Sequence, residues 1–167
     1  MKKININDIS VFVFDFDGVL TNNYVYMDED GKESVRCNRA DGLAFDALRK
    51  LKKIVYILST EKNKIVTSRA RKLKVKALQG VTDKLKAIRD IEISENCNPK
   101  DILYVGNDIN DYHAMERCGT RVCPIDSHLK IKKISNIILN IKGGDGVVRE
   151  LLEKKMDLDL FQILYRR

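Results

Sequence analysis

Short, almost wholly apolar runs alternate along the chain with stretches whose apolar residues recur every three or four positions. Residues 9–14 (Ile-Ser-Val-Phe-Val-Phe) have the composition of a strand buried on both faces. Residues 24–27 and 32–37 flank Asp28-Glu29-Asp30-Gly31, and an Asp-Gly between two β-prone runs predicts a hairpin. Residues 41–52 place Leu43, Ala44, Ala47, Leu48 and Leu51 on one helix face. A strand at 54–58, a basic helix at 62–73, a short strand at 75–78 and a helix at 82–93 follow. Asn98-Pro99 breaks the pattern, which resumes as a strand at 102–105, a helix at 110–117 and a strand at 121–123 ended by Pro124. A helix at 127–134, a strand at 137–139, a glycine loop at 143–146 opening a helix through Leu152, and an amphipathic tail at 157–164 complete the chain. Strands alternating with helices predict an α/β fold: a parallel sheet between helices, with right-handed crossovers and a hairpin at about 24–37 inserted after the first strand. Residues 1–167, free of linkers and repeats, read as a single domain.

The 44% hydrophobic and 33% charged content supplies a core and excludes a disordered or fibrous chain. No apolar run approaches the roughly 18 residues of a membrane span, and Met1-Lys2-Lys3 is not followed by the apolar stretch of a secretory signal. The expected location is the cytoplasm, with no membrane partner. Cys37, Cys97, Cys118 and Cys123 form no metal-binding spacing and read as reduced packing thiols. The net charge of +7 raises nucleic acid as a partner, but its distribution argues against one. Residues 49–76 hold eleven Lys or Arg against Glu61 alone, a local balance of +10, so the remainder is slightly acidic. Tyr56 is the only aromatic in that segment, where single-strand binders need stacking platforms. A solvated helix face, or a field that steers anionic substrates, is expected instead.

Ligands of such sheets gather at the carboxyl ends of the strands. After the first strand comes Asp15-Phe16-Asp17-Gly18-Val19-Leu20-Thr21. Two carboxylates at the end of so apolar a strand are costly unless paired or bound to a cation, and Gly18 lets the backbone turn close to a ligand. Ser59 follows the second strand, where its hydroxyl suits either a helix N-cap or the edge of a site. Lys84 opens the helix at 82–93, where a cation opposes the dipole and calls for an anion. Gly106-Asn107-Asp108-Ile109-Asn110-Asp111 after 102–105 reads as a capped turn or as an oxygen-rich cation site.

This constellation, in this order, resembles the haloacid dehalogenase (HAD) superfamily of phosphatases over essentially the whole chain, which implies a Rossmann-like HAD fold. The hairpin in place of a cap domain, and Gly-Gly-Asp-Gly-Val-Val-Arg-Glu at 143–150, resemble the capless subfamily. That subfamily holds 3-deoxy-manno-octulosonate 8-phosphate phosphatases and the 9-phosphatases of nine-carbon sialic-type sugars. The resemblance implies that Asp15 is the nucleophile forming an aspartyl phosphate and that Asp17 is the general acid and base. It makes Ser59 a phosphoryl ligand, Lys84 the electrostatic partner, and Mg²⁺ the cofactor. The metal candidates are Asp15, Asp17 through its carbonyl, and Asn107, Asp108 and Asp111. Two departures stand out: Asn107 where an acid is usual, and Thr60 in place of a glycine beside the phosphate.

The implied substrate is a 2-keto-3-deoxy sugar acid phosphate. Glu61 and Lys72, eleven residues apart, would lie three turns apart on one helix side. The resembled nine-carbon 9-phosphatases carry this pair, which favours a sialic-type (N-acylneuraminate/KDN) 9-phosphate over the alternative 3-deoxy-manno-octulosonate 8-phosphate. Thr60, Arg39 and Arg149 complete the implied substrate contacts. The subfamily further implies a homotetramer joined through the hairpins, with a neighbour closing each site, and a functional link to a CMP-sialate synthetase. The rival readings are a non-catalytic HAD-fold partner of such a synthetase, a receiver-type domain, which the position of the Asp-x-Asp-Gly after the first strand disfavours, and a nucleic-acid binder.

Overall fold

The computed structural model of the chain describes residues 4–166. Its strands are β1 (Val11–Asp15), β2 (Tyr26–Met27), β3 (Glu33–Ser34), β4 (Ile54–Leu58), β5 (Lys76–Leu78), β6 (Ile102–Val105), β7 (Thr120–Cys123) and β8 (Ile137–Ile138). Six of them form one parallel sheet in the order β5-β4-β1-β6-β7-β8. The helices are α1 (Ala40–Lys50), α2 (Lys64–Leu73), α3 (Lys84–Ser94), α4 (Tyr112–Arg117), α5 (Leu129–Ile134), α6 (Val147–Glu150) and α7 (Leu160–Tyr165), and α6 continues as a π turn over Leu151–Lys155. None of the described helices is long and apolar enough to cross a membrane.

The apolar run at the start of the chain becomes the centre of the sheet because both of its faces are covered. Phe12 and Phe14 point into a core shared with α1, α2, α6 and α7, and Phe14 meets Phe45 edge-on at 5.3 Å. Val11 and Val13 point to the opposite side, against residues of α3, α4 and α5. From β1 the chain builds outward through β4 and β5, then returns to lay β6, β7 and β8 on the other flank. The reversal falls between β1 and β6, so their carboxyl ends open onto the crevice where a doubly wound sheet gathers its ligand.

Several elements differ from the expected boundaries for identifiable reasons. The helices α2 and α3 start about two residues later than the apolar pattern, because Asn63 and Asp83 cap them by accepting from the Ile65 and Lys86 amides. The hairpin strands shrink to two residues each, since little of them is covered, as the exposure of Tyr26 and Met27 records. Its turn is set by Asp28, whose side chain accepts from the Lys32 amide at 2.7 Å, and its base closes through a bridge between Thr21 and Cys37. The four cysteines are free thiols, as expected.

Candidate active site

Three strand ends and one helix start converge on Asp15. This carboxylate ends β1 and is 5% exposed. Its Oδ1 accepts from the Phe16 amide at 2.7 Å and pairs with Lys84 Nζ at 2.8 Å. Lys84, the first residue of α3 and itself buried, also meets Asp111 Oδ1 at 2.7 Å. The anion demanded at that helix start is therefore supplied twice. The Tyr104 hydroxyl donates to the same Asp111 oxygen at 2.8 Å, while Asp111 Oδ2 accepts from the Asn107 amide at 2.9 Å. Both oxygens of Asp111 are thus taken by donors. That arrangement corrects its reading as a metal ligand: the side chain clamps Lys84 and the turn after β6.

Two carboxylates and one ammonium leave this buried cluster with one negative charge in excess. Burial, joined by the Asp111 charge, pushes the Asp15 carboxyl well above the usual carboxylate range, and Lys84 pulls it back only in part. Burial alone would lower Lys84, but the charges of Asp15 and Asp111 together outweigh it and hold the ammonium above the ordinary lysine value.

The remaining oxygen, Asp15 Oδ2, looks toward the Asn107 side chain. The amide end of Asn107 lies 3.2 Å from Asp15 Oδ2 and 2.9 Å from the Asp17 carbonyl. With its nitrogen turned inward, the amide donates to both. With its oxygen inward, that oxygen stands at those distances from the Asp15 and Asp17 oxygens, and the three form an all-oxygen donor set of the kind hard divalent cations take. The donor set and the uncompensated charge both fit a hard divalent cation held by Asp15, the Asp17 carbonyl and Asn107. It contains a single carboxylate; among the described residues no cluster of three or more His, Cys, Asp or Glu is placed to hold a metal. Gly18 makes this approach possible. It adopts φ +75°, and a Cβ there would stand 1.9 Å from the Asn107 amide nitrogen.

Asp17 itself sits at the floor of a cleft of about 360 Å³. Burial pushes its carboxyl up, the Thr21 hydroxyl at 3.2 Å opposes this, and the charges of Glu61 and Glu33 add to the rise. The cleft walls come from Thr60 and Glu61 after β4, Asn107 and Asp108 after β6, and Val25, Glu33 and Val35 of the hairpin. Asp108 also caps the short turn Ile109–Asp111, so the capped-turn reading of this loop holds for that residue. Ser59 lies buried directly after Leu58, the register partner of Asp15, and its hydroxyl accepts from the Glu61 amide at 3.1 Å. Its reading as a helix cap is corrected by Asn63, which does that work four residues later.

Three substrate candidates do not reach this cleft. Lys72, in the last turn of α2, lines a separate cavity of about 310 Å³ together with Arg39 and Arg69. The three-turn spacing of Glu61 and Lys72 fails because α2 begins only at Lys64, leaving Glu61 in the preceding loop. Arg149 pairs with Glu153 at 2.7 Å, one turn along the same helix. Conversely, Tyr104 and Glu33 belong to the site without any signal in a local motif, while Thr21, the last residue of the Asp15–Thr21 run, enters it by donating to Asp17. Tyr104 reads as an ordinary strand residue, and only the register of β6 brings its hydroxyl to Asp111.

Comparison with known proteins agrees with this geometry. The family described as haloacid dehalogenase-like hydrolase matches residues 18–151. The chain belongs to that family. It is 31% identical over 147 residues to the 3-deoxy-D-manno-octulosonate 8-phosphate phosphatase of Yersinia pestis, covering 87% of this chain and 79% of that protein. The solved structure of the Yersinia pestis phosphatase superposes with a TM-score of 0.85 at 29% identity, covering 91% of this chain and 84% of that one. The Moraxella catarrhalis enzyme of the same name, determined with magnesium ion, phosphate ion and KDO, superposes with a TM-score of 0.86 at 26% identity, over 91% and 88% of the two chains. Within the HAD hydrolases the chain therefore falls in the group that holds these octulosonate phosphatases, and the expected enzyme class, a phosphoric monoester hydrolase, stands with that membership.

Proposed function

We propose that this HAD hydrolase is a cation-dependent phosphatase of a 2-keto-3-deoxy sugar acid phosphate. The observation that carries the reading is the buried Asp15–Lys84–Asp111 cluster beneath an open cleft, with one Asp15 oxygen facing Asn107 and the Asp17 carbonyl. The carboxylate of Asp15 attacks phosphorus as the bond to the sugar oxygen breaks, forming an aspartyl phosphate. Asp17, whose carboxyl burial pushes up, gives its proton to the departing alcohol. The same carboxylate then takes a proton from the water that cleaves the acyl phosphate, releasing inorganic phosphate and restoring Asp15. Ser59 and Lys84 hold phosphoryl oxygens, and Lys84 offsets the charge that accumulates beside Asp15. Asp15, the Asp17 carbonyl and Asn107 would hold Mg²⁺, which would supply charge neutralisation between carboxylates and a phosphate dianion.

The likeness to octulosonate 8-phosphate phosphatases supports the eight-carbon 8-phosphate ahead of the nine-carbon 9-phosphate expected from Glu61 and Lys72. A sialic-type substrate remains the second reading on one observation, the acceptor Glu61 on the cleft wall. A functional link to a CMP-sialate synthetase goes with that second reading alone. A panel of both sugar phosphates, with p-nitrophenyl phosphate as a generic ester and Mg²⁺ present, separates them by kcat/KM. Glu61→Ala should lower turnover of the preferred sugar phosphate about ten- to a hundredfold, the effect of one lost charge-assisted contact. The generic ester should be spared, because Asp15, Ser59 and Lys84 are untouched. Equal losses on both esters would assign Glu61 to loop support, and no hydrolysis of any ester would favour the non-catalytic reading.

We also propose a homotetramer assembled through the hairpin. Tyr24, Tyr26 and Met27 are 69%, 55% and 67% exposed on an element too small to be stable alone. In that assembly Arg39 and Lys72 are proposed to face a neighbour's cleft. A Tyr26→Asp/Met27→Asp double variant should run as a smaller species in light scattering, and an unchanged mass would remove the hairpin from the interface.

A further inference from the structure

Asp41 is the buried carboxylate that the chemistry above does not use. It lies in the first turn of α1, on the stripe with Ala44, Phe45 and Leu48, and is 1% exposed. Its Oδ1 accepts from the Val148 amide at 2.9 Å and the Arg149 amide at 3.1 Å, while Oδ2 is buried without a hydrogen-bond partner among the described residues. Helix α6 needs this outside help. Its N-cap is Gly146, at φ +101° and with no side chain to satisfy the first amides. Asp41 serves as the cap from 107 positions away in sequence.

The segment so anchored reaches the catalytic turn. Gly144 donates its amide to the Val19 carbonyl at 2.9 Å. Gly143 packs so tightly on the Gly18 carbonyl that a Cβ would stand 2.1 Å from its oxygen. Gly18 in turn lies against Asn107 and immediately follows Asp17. On the other side, Asp126 accepts from the Gly143 amide at 3.0 Å and Arg36 pairs with Asp145, tying the segment to the loop after β7 and to the hairpin. An unbroken line of bonds and close contacts runs from Asp41 to the peptide that presents Asp17.

We propose that Asp41 is a positioning residue for phosphoryl transfer, holding residues 143–149 as a strut beneath the Asp17 turn; this rests on the phosphatase reading above. An ionised acceptor holds amides about twice as strongly as a neutral one, and a buried carboxylate gives the strut little slack. Burial pushes the Asp41 carboxyl up to about 6, against the two amides and Arg69 of α2, the cation that faces it; Cys37, at the base of the hairpin, lies nearby.

The test is Asp41→Ala against Asp41→Asn in the full chain, read by hydrogen exchange and by steady-state kinetics on p-nitrophenyl phosphate with Mg²⁺. Asp41→Ala should speed exchange at 143–149 and also at 16–22, and lower kcat roughly ten- to a hundredfold, the penalty of misplacing a reacting group by about an ångström. Asp41→Asn, which keeps an acceptor for both amides, should recover most of kcat. Faster exchange confined to 143–155 with native kcat would reduce Asp41 to a helix cap and overturn the proposal. Should Asp41→Ala not fold, Gly143→Ala moves the strut directly, and native kcat in that variant would overturn it equally. If the unmutated protein hydrolyses no ester, the phosphatase reading fails, while the coupled exchange of 143–149 and 16–22 still decides whether the strut exists.

Discussion

Asp15→Asn is expected to lower turnover of every phosphate ester by roughly four orders of magnitude or more, the scale of losing a covalent nucleophile. The substitution is isosteric, so the fold should survive it, but a neutral amide is a poor nucleophile toward phosphorus. At the position of Oδ1 it presents to both the Lys84 ammonium and the Phe16 amide either an N–H₂ or an oxygen stripped of charge, so both contacts at 2.7–2.8 Å weaken. Asp17→Asn is expected to act differently. Its loss should be about a hundred- to ten-thousandfold, as for a general acid and base. With p-nitrophenyl phosphate, whose leaving group needs little protonation, the second step becomes limiting and phosphoenzyme accumulates. Intact-mass spectrometry should therefore detect a phosphoryl adduct on Asp17→Asn and none on Asp15→Asn. Near-native turnover by Asp15→Asn would dismiss the covalent mechanism.

The sheet was legible because its strands carry their burial in composition: an apolar run such as 11–14 fits only a position covered on both faces. The chemistry at the strand ends was legible for the same reason, since Asp15 and Lys84 are ionisable groups at positions the pattern makes buried. What was not legible depends on contacts distant in sequence. The pairing of Glu61 with Lys72 assumed a helix beginning two or three residues too early, and a single cap at Asn63 sends the two side chains to different cavities. Asp111 stands in a run rich in oxygen ligands, yet Tyr104 and Lys84, from another strand position and another helix, consume its Oδ1. Asp41 did leave a trace. An acid on the buried stripe of α1 contradicts that helix's amphipathic pattern, and such contradictions concentrate where a side chain has work to do.

Lys84→Met is expected to unfold the site as well as silence it. Methionine approximates the stem of lysine, so packing is kept while the one cation between Asp15 and Asp111 is removed. Breaking a buried pair in this way costs about 3–5 kcal/mol, which for a chain of this size lowers Tm by roughly 10 °C. The loss should depend on pH in a defined direction. Asp15 already has a folded-state pKa above its unfolded value, through burial and the Asp111 charge. A carboxyl in that condition contributes stability that is fully present below its unfolded value of about 3.9 and is lost as pH rises through the folded one. Without Lys84 only the Phe16 amide offsets the burial, so the folded value climbs further. The deficit relative to the unmutated protein should then be smaller at pH 5 than at pH 8, in thermal melts recorded without divalent cation. Adding Asp111→Asn to Lys84→Met removes the second charge and should return part of the lost Tm at pH 8, while turnover stays low. A deficit independent of pH, or a double variant no more stable than the single one, would mean that Lys84 holds the site by packing and that the two carboxylates do not repel.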